Sequence, residues 1–297
     1  MLAPVVLFVY NRPEHTQRLL ETLERNQQVE ASELYIFSDA ERGIKEADSV
    51  AEVRRKLEEY VPKSGFKKVH IEYAEKNRGL AASVISGVTK VIEEYGRAIV
   101  LEDDLLVSKD FLQYMNEALD FYCNEKDIWS ISGYSFPMKV LRKYSHDIFY
   151  SYRGCSWGWA TWKDRWETTD WNVSKYSDLL NDQKLQKKFN RGGNDLTVML
   201  KNQMEGKLDS WAIRWCFSQS LAGKYTIYPK YSRVINEGCD GSGTHSGISN
   251  EYSTKFEDSM IACKFEQLSI DRKLAREFKH KYSDTIFKKI KRRLISR

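Results

Sequence analysis

Three consecutive carboxylates, Glu102-Asp103-Asp104, stand directly after a short apolar run at residues 98–101. Three adjacent negative charges repel one another, so their place at the end of a buried strand calls for a compensating partner. A hard divalent cation is such a partner, because Mg²⁺ and Mn²⁺ prefer oxygen ligands and bind through one or two carboxylates together with substrate phosphates. The triplet therefore predicts a Mn²⁺ or Mg²⁺ site that holds a diphosphate, with a solvated acidic turn as the alternative.

Polar residues also follow the other strands that are predicted in the first part of the chain. Strands predicted at 4–10, 34–37 and 68–73 lead into Asn11-Arg12, Asp39 and Asn77-Arg78-Gly79. Helices predicted at 14–26, 46–60, 80–95 and 111–122 alternate with them. This alternation predicts an α/β fold built of parallel βαβ units. Because ligands of such sheets bind at the carboxyl ends of the strands, we expect the polar residues to converge on one crevice.

The second half of the chain has a different pattern. A polar helical stretch is predicted at 178–204, a further helix from residues 209–210, a strand at 226–231 and a loop rich in Gly, Ser and Asp at 237–247. Five tryptophans crowd into fifteen residues: Trp157, Trp159, Trp162, Trp166 and Trp171. Since large aromatic side chains also dominate ordinary cores, we expect most of them in the core and one or two at an acceptor site.

Four segments carry a resemblance to a known group of enzymes. VVLFVYNRP at 5–13, NRGL at 77–80 and LEDDLLVSKDF at 101–111 resemble GT-A glycosyltransferases. The third segment most resembles the N-acetylglucosaminyltransferase I family, with its Glu-Asp-Asp form of the Asp-x-Asp motif, and WGWATW at 157–162 is similar to related bacterial family-2-like sugar transferases. The resemblance covers roughly residues 4–250. It implies a Rossmann-like GT-A fold with a mixed, mostly parallel central sheet flanked by helices.

The resemblance also implies an activity. The chain would be an inverting, metal-dependent hexosyltransferase that moves a sugar from a nucleoside-diphosphate sugar, with UDP favoured, to a saccharide or lipid-linked glycan acceptor. The product would belong to a surface polysaccharide. No nucleic acid is expected as a partner.

Individual roles follow from the same resemblance. Asp104 would ligate the metal, while Glu102 and Asp103 would orient the ribose or support the metal shell. His245, in the Gly-rich loop, would contact the diphosphate or complete the metal shell. The remaining donor-site residues are Tyr10 and Asn11 in the nucleotide pocket, Asp39 at the base or ribose, Arg12 and Arg78 at the phosphates, and Asn77 and Gly79 beside them.

A transfer onto a hydroxyl group needs a general base, and Asp209 is the leading candidate. It stands immediately before a predicted helix that contains a tryptophan, as an acidic catalytic residue does in the resembling family. An Asp at this place also serves as an N-cap, so capping is the structural alternative. Glu205 and Asp195 are the second choices for the base.

Charge is distributed unevenly along the chain. The formal net charge is +5, but residues 279–297 hold eight Lys or Arg and one Asp, so the rest sums to −2. This argues against a nucleic-acid-binding main domain. We expect one catalytic domain at 1–278, with a donor half at 1–127 and an acceptor half at 128–278, followed by a basic amphipathic tail at 279–297. Residues 286–297 would contact a membrane surface peripherally, with a solvated end as the alternative.

The compartment is predicted from what the sequence lacks. There is no run of about 18 apolar residues, no secretory signal and no C-x-x-C pair among the five cysteines. Free thiols in a reducing cytoplasm are the simplest interpretation, with peripheral attachment to the inner face of the membrane through the tail.

Two other functions remain open from the sequence. A nucleotidyltransferase acting on sugar phosphates would also use an α/β sheet, acidic residues and Mg²⁺, but it should carry a Gly-rich loop after the first strand, where Asn11-Arg12-Pro13 stands instead. A non-catalytic glycan-binding protein would use the tryptophans, and the intact acidic triplet argues against it.

Overall fold

The computed structural model describes residues 1–238, 254 and 262–283. The strands in these residues are β1 (Val5–Val9), β2 (Glu33–Ser38), β3 (Lys68–Tyr73), β4 (Arg97–Glu102), β5 (Leu105–Val107), β6 (Ile128–Ser132), β7 (Ile148–Ser151), β8 (Trp159–Trp162), β9 (Tyr225–Pro229) and β10 (Val234–Asn236). The α-helices are α1 (Pro13–Glu24), α2 (Ile44–Tyr60), α3 (Leu80–Tyr95), α4 (Phe111–Phe121), α5 (Lys163–Trp166), α6 (Tyr176–Asn181), α7 (Gln183–Phe189), α8 (Leu196–Met204), α9 (Trp211–Ala222) and α10 (Arg272–Lys281).

An eight-stranded sheet forms the centre, in the order β3-β2-β1-β4-β8-β6-β9-β7. The pairs β1–β2, β2–β3, β1–β4 and β6–β9 are parallel, whereas β4–β8, β6–β8 and β7–β9 are antiparallel. The predicted α/β class with a mixed, mostly parallel sheet is confirmed. Because β4 pairs with β8, one continuous sheet crosses the division expected between residues 127 and 128.

Helices cover both faces of the sheet, and β1 shows why. Val5, Leu7 and Val9 join the core that α1, α2 and α4 complete, whereas Val6 and Phe8 join the core that α3 and α9 complete. Every residue of β1 is buried. An uninterrupted apolar run is what a central parallel strand with two covered faces requires.

Two glycines set the ends of α3. Gly79 and Gly96 have positive φ angles of 79° and 75°, a conformation that glycine adopts without a steric cost. Gly96 closes the last turn by donating its N–H to the carbonyl of Ile92 at 2.9 Å. Gly79 starts the helix directly after residues 77–78, so the N-terminus of α3 lies beside the predicted crevice.

The tryptophans are mostly core residues, as expected. Trp159, Trp162 and Trp166 are at most 6% exposed. Trp159 stacks on Trp211 of α9, with ring centroids 4.8 Å apart. Trp157 is only partly buried and lines the main cavity described below.

Helices are present at both places predicted in the second half of the chain, and the structure refines their boundaries. The stretch at 178–204 is not one helix but α6, α7 and α8 with a 3₁₀ turn at Asn190–Gly192. A new helix, α7, begins after Asp182. This residue is the N-cap and accepts hydrogen bonds from the backbone N–H of Lys184 and Leu185 at 2.7 and 3.2 Å. The N-cap of α9 is Ser210, which accepts from the backbone N–H of Ile213 at 3.3 Å. Asp209 is therefore not the helix cap.

The last described helix, α10, packs onto the main domain. Its Leu274 and Phe278 are at most 2% exposed, and the Phe278 ring contacts Phe136 and Tyr228 with both centroid distances 5.1 Å. The helix runs through the boundary expected between residues 278 and 279.

Three further predictions concern the C-terminal part of the chain, membrane-spanning helices and the cysteines. His245, most of the loop at 237–247 and the tail at 286–297 lie outside the described residues. Among the described helices, none has the length and apolar content needed to cross a membrane. The four cysteines within the described residues carry free thiols, as predicted.

Candidate active site

A cavity of about 630 Å³ opens at the carboxyl ends of β1, β2 and β4. These ends are level because β1 pairs in register with both neighbours, Val9 opposite Ser38 and Phe8 opposite Glu102. The predicted site residues that line the cavity are Tyr10, Asn11, Arg12, Asp39, Asn77, Arg78, Glu102, Asp103, Asp104 and Asp209. Gly79 is not in the wall, and His245 lies outside the described residues.

Arg12 stands between two acids of the triplet. Its guanidinium forms ion pairs with Asp103 and with Asp104, the latter at 3.1 Å, and the backbone N–H of Tyr10 donates to Asp103 at 3.3 Å. Burial raises the pKa of Asp103, and the ion pair with Arg12 offsets this only in part. The Arg12 guanidinium is thus paired with two carboxylates, whereas the sequence predicted that it would bind phosphate.

Glu102 lies beside the Asp104 carboxylate and the Trp211 indole. Burial, followed by the negative charge of Asp104, raises the pKa of Glu102 to about 8. The indole N–H of Trp211 donates to Glu102 at 3.4 Å and favours the ionised carboxylate. Added positive charge in the cavity would favour that form further.

One carboxylate of the triplet, Asp104, has an oxygen that is suited to a divalent cation. Its Oδ1 is buried and has no hydrogen-bond partner among the described residues, which is costly unless a donor or a cation satisfies it. Within the same residues no three His, Cys, Asp or Glu side chains converge in a way that could hold a metal ion. Arg12 pairs with both Asp103 and Asp104, so a cation that binds both acids would have to displace its guanidinium.

The two-stranded sheet of β5 and β10 places Glu237 and Gly238, which follow β10, next to Asp104. β5 pairs antiparallel with β10, and the backbone N–H of Glu237 donates to the carbonyl of Asp104 at 2.8 Å. A Cβ atom at Gly238 would lie 2.0 Å from Oδ2 of Asp104. The chain passes so close to this carboxylate that only glycine fits.

Replacement of Gly238 with Ala is expected to displace the Asp104 carboxylate and to lower the free energy of unfolding by about 1–3 kcal/mol, the usual cost of overpacking. Gly43→Ala is the matched control, because a Cβ at Gly43 meets nothing within 4 Å and its backbone is extended. Urea denaturation of both variants measures the difference. Equal stability of the two would contradict the close approach of Gly238 to Asp104.

Asp39 organises the loop at the start of α3. It accepts hydrogen bonds from the backbone N–H of Arg78 at 2.9 Å and of Gly79 at 3.1 Å. Asn77 completes the loop by donating to the carbonyl of Ala40 at 2.6 Å. A carboxylate that lines the cavity while accepting these bonds is fixed in direction, so any contact it makes to a bound nucleoside is made by a rigid group.

Sequence reasoning missed Arg42, which lies in the same part of the cavity. Its Nε donates to Asn77 at 3.4 Å, and its backbone N–H donates to the hydroxyl of Tyr10 at 3.2 Å. Burial raises the pKa of Tyr10, so the phenol remains protonated. Arg42 follows a predicted strand end by only a few residues, and that position could have indicated it.

Asp209 lies over the N-terminus of α3. Its Oδ2 accepts from the backbone N–H of Ala81 at 3.3 Å, and a Cβ at Gly79 would approach the same oxygen to 3.0 Å. Asp209 is exposed to the cavity and has no ion-pair partner among the described residues. Its carboxylate is thus available to accept a proton from a bound molecule.

The two alternative candidates for the base are both tied to cations. Glu205 lies outside the cavity wall and pairs with Lys207 at 2.6 Å. Asp195 lines the cavity, but both its oxygens accept from the Arg153 guanidinium at 2.8 and 2.9 Å. These contacts leave Asp209 as the better candidate.

The chain after α10 forms part of the cavity wall. The ring of Tyr282 lies 4.0 Å from the Arg153 guanidinium carbon, and both residues line the cavity with Trp157, Asp195 and Met199. No local sequence signal indicated Tyr282, because it reaches the site only through the packing of α10.

The cavity wall carries an excess of negative charge. Among its described residues seven carboxylates face four guanidiniums, a formal charge of −3. A cation bound together with a diphosphate would reduce the repulsion between that ligand and the ionised carboxylates.

The chain was compared with known proteins at three levels. No protein-family model matches it, and no curated protein matches it. Solved structures that are similar include residues 1–349 of S. aureus TarS in complex with UDP-GlcNAc, at 11% identity and a TM-score of 0.44 over 79% of this chain and 58% of that one. A longer structure of S. aureus TarS is similar at 11% identity and a TM-score of 0.42, over 79% and 36% of the two chains.

A structure described as a glucose-1-phosphate thymidylyltransferase from Bacillus anthracis, in complex with sucrose, is similar at 12% identity and a TM-score of 0.39, over 80% and 90% of the two chains. The chain thus spans little more than half of the TarS fragment. All three TM-scores lie below 0.5, so these similarities do not support a particular function. A function has to be inferred from the residues of the cavity.

Proposed function

We propose that this protein is a metal-dependent GT-A glycosyltransferase that moves a sugar from a nucleoside-diphosphate sugar, with UDP favoured, to a hydroxyl group of a saccharide or lipid-linked glycan. One observation carries the proposal. A large cavity at the carboxyl ends of parallel strands is lined by an acidic triplet and by Asp209, a carboxylate in the loop before α9 that has no ion-pair partner among the described residues. Cavities of this size hold small organic ligands, and that position is where such sheets bind nucleotides.

The donor would lie across the ends of β1, β2 and β4. Arg42 and Arg78 line this part of the cavity, and guanidinium groups match the geometry of phosphate oxygens. Tyr10 and Asn11 would contact the nucleoside, with Asp39 holding the loop at residues 77–79 in place. Asp104 would hold Mn²⁺ or Mg²⁺, with Glu102 and Asp103 in support; when bound, the cation neutralises charge on the leaving diphosphate.

Asp209 would act as the general base. As the acceptor oxygen forms a bond to the anomeric carbon, Asp209 takes the hydroxyl proton and the bond from that carbon to the diphosphate oxygen breaks. Direct displacement of this kind inverts the anomeric configuration. The support for this role is that Asp209 faces the cavity and pairs with no cation in the described part of the chain.

A nucleotidyltransferase would use the cavity differently. It would take a nucleoside triphosphate and a sugar phosphate and release pyrophosphate. Assays for pyrophosphate release and for nucleoside diphosphate release from sugar nucleotides therefore separate the two activities directly.

Thermal unfolding with UDP, GDP, CDP and TDP, each with and without Mn²⁺, tests the donor site. We expect one nucleoside diphosphate at 100 times its Kd to stabilise the protein by about 2.7 kcal/mol, only with Mn²⁺, and Asp104→Asn to abolish the effect. Asp178→Asn is the control, because Asp178 pairs with Lys175 on the exposed surface of α6. If no nucleotide stabilises the protein under any metal condition, the donor site is wrong and glycan binding becomes the better hypothesis.

A further inference from the structure

The exposed side of α10 is strongly basic. At 3.6 residues per turn, Arg272, Arg276 and Lys279 align on the side opposite the buried Leu274 and Phe278. Arg272, Lys273 and Arg276 are exposed and pair with no acidic side chain among the described residues. The helix is thus held to the domain by one face and presents positive charge on the other.

A second basic element lies directly beside α10. The 3₁₀ turn Val140–Lys143 and the residue before it carry Lys139, Arg142 and Lys143, which are exposed and without an acidic partner in the described chain. Glu277 of α10 joins the two elements, accepting from the backbone N–H of Lys139 at 2.7 Å and of Val140 at 2.9 Å.

Two nearby acids, Asp271 and Glu277, offset the positive charge of this surface only in part. Glu277 is directed to the 3₁₀ turn, and Asp271 caps α10 by accepting from the backbone N–H of Leu274 at 2.8 Å. Six exposed cationic side chains therefore lie on two adjacent elements, and we call their surface the basic face: Lys139, Arg142, Lys143, Arg272, Lys273 and Arg276.

We infer that the basic face binds an anionic lipid bilayer. Its charge is complementary to a membrane surface rich in anionic headgroups, each basic residue near such a surface contributing about five-fold in affinity. The positive charge also continues along the chain, since residues 284–297 add six Lys or Arg and one Asp. A folded, charged face combined with a basic segment suits a broad, flat anionic surface.

Binding of a bilayer at the basic face also indicates where the acceptor would lie. This step rests on the proposed function. Tyr282 follows α10 directly and lines the cavity beside Arg153. A bilayer bound at α10 would place a lipid-linked saccharide on the side of the domain where this part of the cavity wall lies.

Flotation of the full chain with vesicles tests the inference. Vesicles of phosphatidylglycerol and phosphatidylcholine in equal amounts should bind the wild type, and vesicles of phosphatidylcholine alone should not. The variants R272E/K273E/R276E and K139E/R142E/K143E should each lose about 100-fold or more in affinity, although each retains residues 284–297. The control K45E/K63E/K68E makes the same change in net charge at dispersed, exposed positions and should bind nearly as the wild type does.

Far-ultraviolet circular dichroism and thermal unfolding confirm that the variants remain folded, as expected for exposed side chains without ion pairs. Binding of both basic-face variants at the level of the control would overturn the inference and assign attachment to residues 284–297. Failure of the wild type to bind anionic vesicles, with retention on a heparin column, would overturn it in favour of a soluble polyanion. Vesicle binding needs no nucleotide or Mn²⁺, so its failure is distinguishable from failure of the donor site.

Discussion

Replacement of Asp209 with Asn is expected to lower the rate of sugar transfer by about 10²- to 10⁴-fold, the range that a general base contributes, while leaving nucleotide affinity unchanged. The amide keeps an oxygen that can accept from the backbone N–H of Ala81, as the carboxylate does at 3.3 Å. It cannot take a proton from an acceptor hydroxyl. The rate is measured as UDP released from the UDP-sugar that the wild type uses fastest, with acceptor glycan present, and the affinity by calorimetry with UDP and Mn²⁺.

Glu205→Gln is the matched control for Asp209→Asn. Glu205 is also an acid close to α9, but it is exposed and pairs with Lys207, so its replacement should leave the rate unchanged. If Asp209→Asn retains the rate of the control, Asp209 is not the base. If it instead loses UDP affinity along with rate, the residue shapes the donor site through the start of α3.

The cavity wall at the carboxyl ends of β1, β2 and β4 was largely predictable because local rules decide which residues lie there. The sequence predicted β3 at Lys68–Tyr73 and α3 at Leu80–Tyr95 with the bounds that the structure has, since Gly79 and Gly96 mark the ends of α3 and apolar periodicity marks its buried face. Once parallel strands alternate with helices, the polar residues after each strand must meet at one edge.

The other side of the cavity depends on contacts between distant parts of the chain. Tyr282 reaches Arg153 only because Phe278 of α10 packs on Phe136 and Tyr228, and nothing near residue 282 indicates this. Asp195 was a plausible base until its bidentate pair with Arg153 was known. Side-chain partners separated by tens of residues are decided by tertiary packing, which propensity and periodicity do not describe.

The position of Arg12 is the most informative departure from the sequence prediction. The residue follows β1 and was expected at the phosphates, yet it pairs with acids that lie 91 and 92 residues further along the chain. Burial lowers the pKa of Arg12, but the carboxylates of Asp103 and Asp104 outweigh it and raise the pKa overall. A permanently charged guanidinium therefore stands where we propose that a divalent cation binds.

Replacement of Arg12 with Gln is accordingly expected to raise the affinity for Mn²⁺ in the absence of nucleotide by about 10- to 100-fold, and to lower the affinity for UDP in the presence of Mn²⁺ by a similar factor. Arg12 must release Asp103 and Asp104 before a cation can bind them, and the released guanidinium can then pair with the diphosphate. In the wild type the two ligands should therefore bind cooperatively, and the coupling must be equal in both directions.

Electron paramagnetic resonance of free Mn²⁺ measures the first affinity, and calorimetry with UDP measures the second. Arg55→Gln is the control for lost positive charge, because Arg55 pairs with Glu52 and Glu59 on the exposed side of α2, away from the cavity. If Arg12→Gln binds Mn²⁺ no more tightly than the wild type, Arg12 does not compete for these acids. If it loses UDP affinity equally with and without Mn²⁺, Arg12 contacts the diphosphate but does not couple the two sites.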